Sequence, residues 1–183
     1  MGEKNRMGLN ILFFELDKVP HTTRGFLDWV SEVTEWGGDY DFNDPETTSP
    51  RLRGFLLDLV KEYPPMNGDY GPSMEERKAK GIENRQESDY SIAPDCLYAD
   101  FEFDAIDDGD EEFDFNEVLI DLTDTHEISY YLFDESIQTP ETTIHLSEEE
   151  PDKDFFSKEK QENDPSQSKG DNSFLGKIRG LFD

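Results

Sequence analysis

The chain has 183 residues, of which 34% are charged and 13% aromatic, and its formal net charge is −28. A field of that sign opposes binding to DNA, RNA or anionic membrane, and the aromatic share argues against a wholly disordered polymer, which would be poor in Phe, Trp and Tyr. One cysteine, Cys96, excludes an internal disulfide and a cysteine zinc cluster.

The opening residues, MGEKNRMGLN, contain no apolar core of signal-peptide length. No run reaches the ~18 apolar residues of a membrane span. The expected location is the cytosol, where Cys96 would stay reduced. Leu9–Leu16, LNILFFEL, reads as a buried strand with apolar residues on both faces. Thr22 or Thr23 can cap the next element, a helix whose positions Phe26, Trp29, Val30, Val33 and Trp36 keep helical spacing and which Gly37-Gly38 stops. After the polar loop DYDFNDPETT, Ser49-Pro50 supplies a cap and a first-turn proline. Leu52, Phe55, Leu56, Leu59, Val60 and Tyr63 make the stripe of a second helix, ended by Pro64-Pro65.

Residues 66–89 form a long polar connection with room for a helical turn around SMEERKAK. CLYADFEFDA alternates cleanly, which predicts a half-buried strand. Leu97, Ala99, Phe101 and Phe103 fall on its core face, and Cys96, Tyr98, Asp100 and Glu102 on a wet one. There the surrounding acids would raise the pKa of Cys96 and blunt its reactivity. Asp107–Glu112 reads as a charged turn around Gly109, and Asp114 as the cap of a third helix over roughly 115–127. ISYYLFD and TTIHL read as short strands. The order β-α-α-β-α-β-β predicts one α+β (or α/β) domain over residues 8–146, with helices packed on a small sheet. A flexible acidic and polar linker is expected over 147–172. A short amphipathic tail helix over 173–183 would carry Phe174, Leu175, Ile178 and Leu181 on one side.

The charge is concentrated. Residues 86–152 hold 23 acids and no Lys or Arg, whereas residues 64–85 and 153–183 are each neutral and residues 1–63 carry a net −5. A halophilic adaptation would be acidic throughout, so the segregation points to a cationic partner instead. Calcium is a poor candidate for it. With Gly109 at position 6 of an EF-hand loop, Ile106 falls at position 3 and Phe115 at position 12, where oxygen ligands are required. The three histidines, His21, His126 and His145, stand in no metal-ligand or catalytic spacing, and the chain has no phosphate loop or nucleophile elbow. No catalytic residue, metal ligand or cofactor is therefore expected.

That leaves binding. Rows of carboxylates can imitate nucleic-acid phosphates and meet the Lys and Arg lining of a basic protein, with aromatic anchors such as Tyr98, Phe113 or Tyr130 adding affinity. Three stretches carry a resemblance: DYDFNDPETTSPRLRGFLLDLVKEYPPMNG, DYSIAPDCLYADFEF and YYLFDES. Together they resemble a group of small acidic bacterial proteins of unassigned activity found beside polymorphic or secreted toxin genes, candidate immunity proteins. The resemblance covers roughly residues 9–146; here DAIDDGDEEFDF lengthens what is usually a plain helix entry. It implies a non-enzymatic cytoplasmic antitoxin that neutralises a cognate basic, nuclease-like toxin by stoichiometric binding. The contacts expected on the acidic segment are Tyr98, Asp100, Glu102, Asp107, Asp108, Asp110, Glu111 and Glu112. The alternative is a scaffold or adaptor of a secretion or phage system that docks through FLGKIRGLF in the tail.

Overall fold

The computed structural model of the protein describes residues 6–65, 73–80, 87–104 and 110–156. Its elements in chain order are β1 (Arg6–Phe14), α1 (Thr23–Val33), α2 (Pro50–Glu62), α3 (Met74–Lys80), β2 (Glu87–Ile92), β3 (Cys96–Asp104), α4 (Asp110–His126), β4 (Ser129–Tyr131), β5 (Ser136–Gln138) and β6 (Thr143–His145). The six strands form one antiparallel sheet in the order β2-β3-β1-β4-β5-β6, so the fold is α+β. Antiparallel pairing throughout removes the α/β alternative, which requires parallel crossovers.

β1 is a central strand, and its apolar run Ile11–Phe14 is buried on both faces. Ile11 and Phe13 face α2 and α4, in a core with Leu52, Phe55, Leu56, Leu59, Phe115 and Leu119. Leu12 and Phe14 face α1, in a second core with Phe26, Val30, Tyr131 and Ile137. The first two helices begin as their sequences dictate. The Thr22 hydroxyl accepts from the Gly25 N–H, and the Ser49 hydroxyl accepts from the Leu52 N–H with Pro50 in the first turn.

The structure corrects several expectations. The charged turn gives way to helix sooner than expected: α4 begins at Asp110, so Asp110, Glu111 and Glu112 lie in its first turn and Asp114 is not its cap. Carboxylates near a helix N-terminus are favoured by the backbone dipole, which is why this acid-rich stretch winds rather than turns. Two strands escape the sequence reading. β2 starts in the last residues of the polar connection and runs past them to Ile92, and β5, with three residues, is too short for period-two patterning to show. α3 occupies the SMEERKAK stretch. Residues 147–156, expected to start a linker, return to α1. The Ser147 N–H donates to Thr23, the Arg24 N–H to the Pro151 carbonyl, and the Phe155 N–H to the His21 carbonyl at 2.7 Å. Asp107, Asp108, the rest of the expected linker and the tail lie outside the described residues.

Candidate partner-binding face

β3 pairs with β1 on one side and β2 on the other, so its residues define rows running across three strands. On the α1 side these rows are Phe14–Cys96, Leu12–Tyr98–Ser91, Asn10–Asp100–Asp89 and Gly8–Glu102–Glu87. The helix covers only the first end. Cys96 is fully buried there against the α1 core, and Tyr98 is half-buried. The expectation of a wet face at Cys96 is thus overturned: α1 packs on it. Its thiol pKa is pushed up to about 12, chiefly by burial and secondarily by the Asp95 charge. Neighbouring acids are the lesser cause, and the thiol is inert.

Beyond Tyr98 the same face opens. Gly8, Asn10 and Asp89 are exposed, and a Cβ added at Gly8 would meet nothing within 4 Å. In this open part Asp100 stands opposite Asp89, and in the next row Glu102 stands opposite Glu87. Like charges directly opposite across an antiparallel pair destabilise it. The ion pairs of the described residues offer no relief. Lys18 and Arg51 engage Glu15, Arg53 engages Glu46, Lys61 engages Asp58 and Arg24 engages Asp152, and none reaches Asp89 or Asp100. These basic side chains are engaged away from Asp89 and Asp100, and the register places one further base, Arg6, at the far end of the face opposite Asp104.

An aromatic ledge borders the acidic rows. The Tyr98 ring lies 5.7 Å from Trp36 and 6.1 Å from Phe133, edge-on to both. Phe133 is 42% exposed, and it takes φ 61 where a bulky L-residue is strained. Burial raises the Tyr98 phenol's pKa and the neighbouring Asp100 charge raises it further, so the hydroxyl stays a neutral donor at the edge of the anionic field.

Of the residues expected at the interface, Tyr98 and Asp100 come together on one face of β3, and the register puts Glu102 at the next row. Asp110, Glu111 and Glu112 begin α4, the helix in the layer on the opposite side of the sheet. Tyr130, a candidate anchor, is a core residue at 5% exposure, and its phenol pKa is raised chiefly by burial. Sequence reasoning misses Asp89, Glu87 and Phe133. The alternation of Asp89 and Ser91 with Tyr90 and Ile92 is the available signal for β2, and it is too brief to stand out beside a long polar connection. Among the described residues no group of three or more His, Cys, Asp or Glu is arranged to hold a metal ion. His126 closes α4 and bonds Asp58 at 2.8 Å, and His21 Nε2 lies 3.0 Å from the Leu16 carbonyl. No helix among the described residues is long and apolar enough to cross a membrane.

Compared with known proteins, the chain matches no family model, no curated protein and no solved structure.

Proposed function

We propose that this chain is a binding protein of the immunity type, which neutralises a basic toxin domain by laying the open β2–β3 face over its cationic surface. The observation that carries the reading is the pair of like-charged rows, Asp89–Asp100 and Glu87–Glu102, in a span that has 23 acids and no base. Such rows weaken their own sheet, and a partner's Lys and Arg would neutralise them. The ledge of Tyr98, Trp36 and Phe133 supplies the apolar anchor that a charged patch needs for slow dissociation. Asp107, Asp108 and Asp110 extend the same acidic stretch along the chain.

The test is co-expression with the product of the neighbouring reading frame. A growth-arresting protein with a basic domain should be neutralised by the wild-type chain and not by the Asp89→Lys/Asp100→Lys variant. Equal protection by a folded double variant would remove the face from the interface. A neighbour without toxicity would remove the immunity role.

A further inference from the structure

A cleft of about 560 Å³ opens at the other end of the sheet, between the start of α2, the end of α4 and the β5–β6 turn. Leu16, Ile144 and Phe156 give it apolar walls. Four carboxylates line it: Asp17, Asp124, Glu127 and Glu141. Its Arg51 guanidinium is already engaged, 3.4 Å from Glu15 and 3.7 Å from Asp17. Asp124 and Glu127 sit at the C-terminal end of α4, where the helix dipole is negative and further negative charge is unfavourable. The cleft is therefore apolar in its walls and short of positive charge.

The chain itself leads to this opening. Phe156, the last described residue, is on the cleft wall, its ring edge-on to His21 at 4.9 Å. The Thr22–Asp154 bridge and the Phe155–His21 hydrogen bond fix the point from which the C-terminal residues depart. Seventeen residues then separate Phe156 from Phe174. A flexible chain of that length spans roughly 20–25 Å on average, which keeps the C-terminal segment within reach of the cleft mouth. That segment, FLGKIRGLF, interleaves Phe174, Leu175, Ile178 and Leu181 with Lys177 and Arg179. Its composition is the complement of the cleft's.

We propose that this cleft is the docking site of the chain's own segment 174–182, with Lys177 and Arg179 among the four carboxylates and the apolar side chains against Leu16, Ile144 and Phe156. The tether gives an effective concentration on the order of 1 mM, so even a weak peptide affinity keeps the segment docked. Docking here is independent of the partner-binding reading, and its test contains no partner.

The experiment places a nitroxide on the full chain at Ser173→Cys; Cys96, buried and inert, does not compete for the label. Amide signals of Leu16, Thr139, Glu141 and Thr142 should lose roughly half their intensity or more, as expected for a segment docked at least half the time. Those of Gly8–Asn10 and Asp89, at the opposite end of the sheet, should keep theirs. Adding Lys177→Glu and Arg179→Glu should restore the cleft signals and leave the rest of the spectrum unchanged. Equal intensity at both ends, or broadening indifferent to the charge reversal, would overturn the proposal. So would transfer of the broadening to an unlabelled copy in a mixed sample, which would make the occupant a second molecule.

Discussion

Asn116 lies on α4 beside the core residues Phe115 and Leu119, is 2% exposed, and has no hydrogen-bond partner at either Nδ2 or Oδ1. An amide left unpaired in an apolar interior costs about 1–3 kcal/mol, and Leu has the same branched heavy-atom framework, somewhat larger, without the polar atoms. Asn116→Leu should therefore stabilise the protein by about 1–2 kcal/mol, read as a higher urea midpoint at unchanged slope. A lower midpoint would mean that the amide is satisfied in solution. Glu127 is a second conflict of this kind. The Ile128 N–H bonds the Thr123 carbonyl and the Glu127 N–H bonds the Asp124 carbonyl, which places Glu127 at the left-handed position just past a helix end, with φ 53. Glycine is the usual occupant there, and a carboxylate also opposes the helix dipole. Glu127→Gly should raise stability by about 0.5–1 kcal/mol in the same assay; no gain would show that Glu127 has a compensating contact.

Between elements the main fastening is a buried carboxylate. Glu15, at the end of β1 and 3% exposed, accepts from Lys18 at 2.6 Å and from the Ser49 hydroxyl, and Arg51 lies 3.4 Å away. It joins the central strand to the start of α2. Burial pushes its pKa up, but the hydrogen bonds from Lys18 and Ser49 and the charges of Lys18 and Arg51 outweigh that and hold it below the ordinary 4.5. A depressed folded-state pKa contributes stability that is present above the unfolded value and lost as pH falls through the folded one. Glu15→Gln should cost about 1–2 kcal/mol at pH 7, and the difference from wild type should shrink below about pH 4.5. A difference constant with pH would show that the charge is not what matters. This fastening is not legible in the sequence, because Glu15 reads as one more residue of an apolar strand and its partners lie in separate elements. Periodicity makes other parts legible. The stripes and N-caps of α1 and α2 and the alternation of β3 belong to single segments, and each is long enough to show its period, although α1 ends at Val33 and leaves Trp36 beyond it. Which face of β3 is wet depends on where α1 lands, a tertiary fact, so alternation alone misplaces Cys96 and yet places Asp100, two rows further on, correctly. The start of α4 is ambiguous in sequence because a run of carboxylates signals both a solvated turn and a favoured first helical turn.

At the scale of the whole molecule the question is why the acidic half carries its charge on a sheet that it weakens. A surface evolved only for solubility would gain by placing a Lys opposite Asp100, since oppositely charged cross-strand pairs stabilise where like pairs repel. Asp89 is exposed on β2, an edge strand, and its carboxylate accepts from the adjacent Tyr90 N–H at 3.0 Å, a bond that water can replace. Asp89→Lys turns the Asp89–Asp100 row into an ion pair, and the folded state should gain a few tenths of a kcal/mol. Binding should respond in the opposite sense. If the face meets a cationic partner, the same substitution should weaken the complex by about tenfold at low salt, mainly through slower association, with the loss fading as salt rises. The two measurements together separate the readings. A gain in stability with a loss of binding marks charge kept for recognition at the expense of the fold. A gain in stability with binding untouched marks a face that only faces water, and the contacts of any cationic partner would then have to lie elsewhere on the acidic segment.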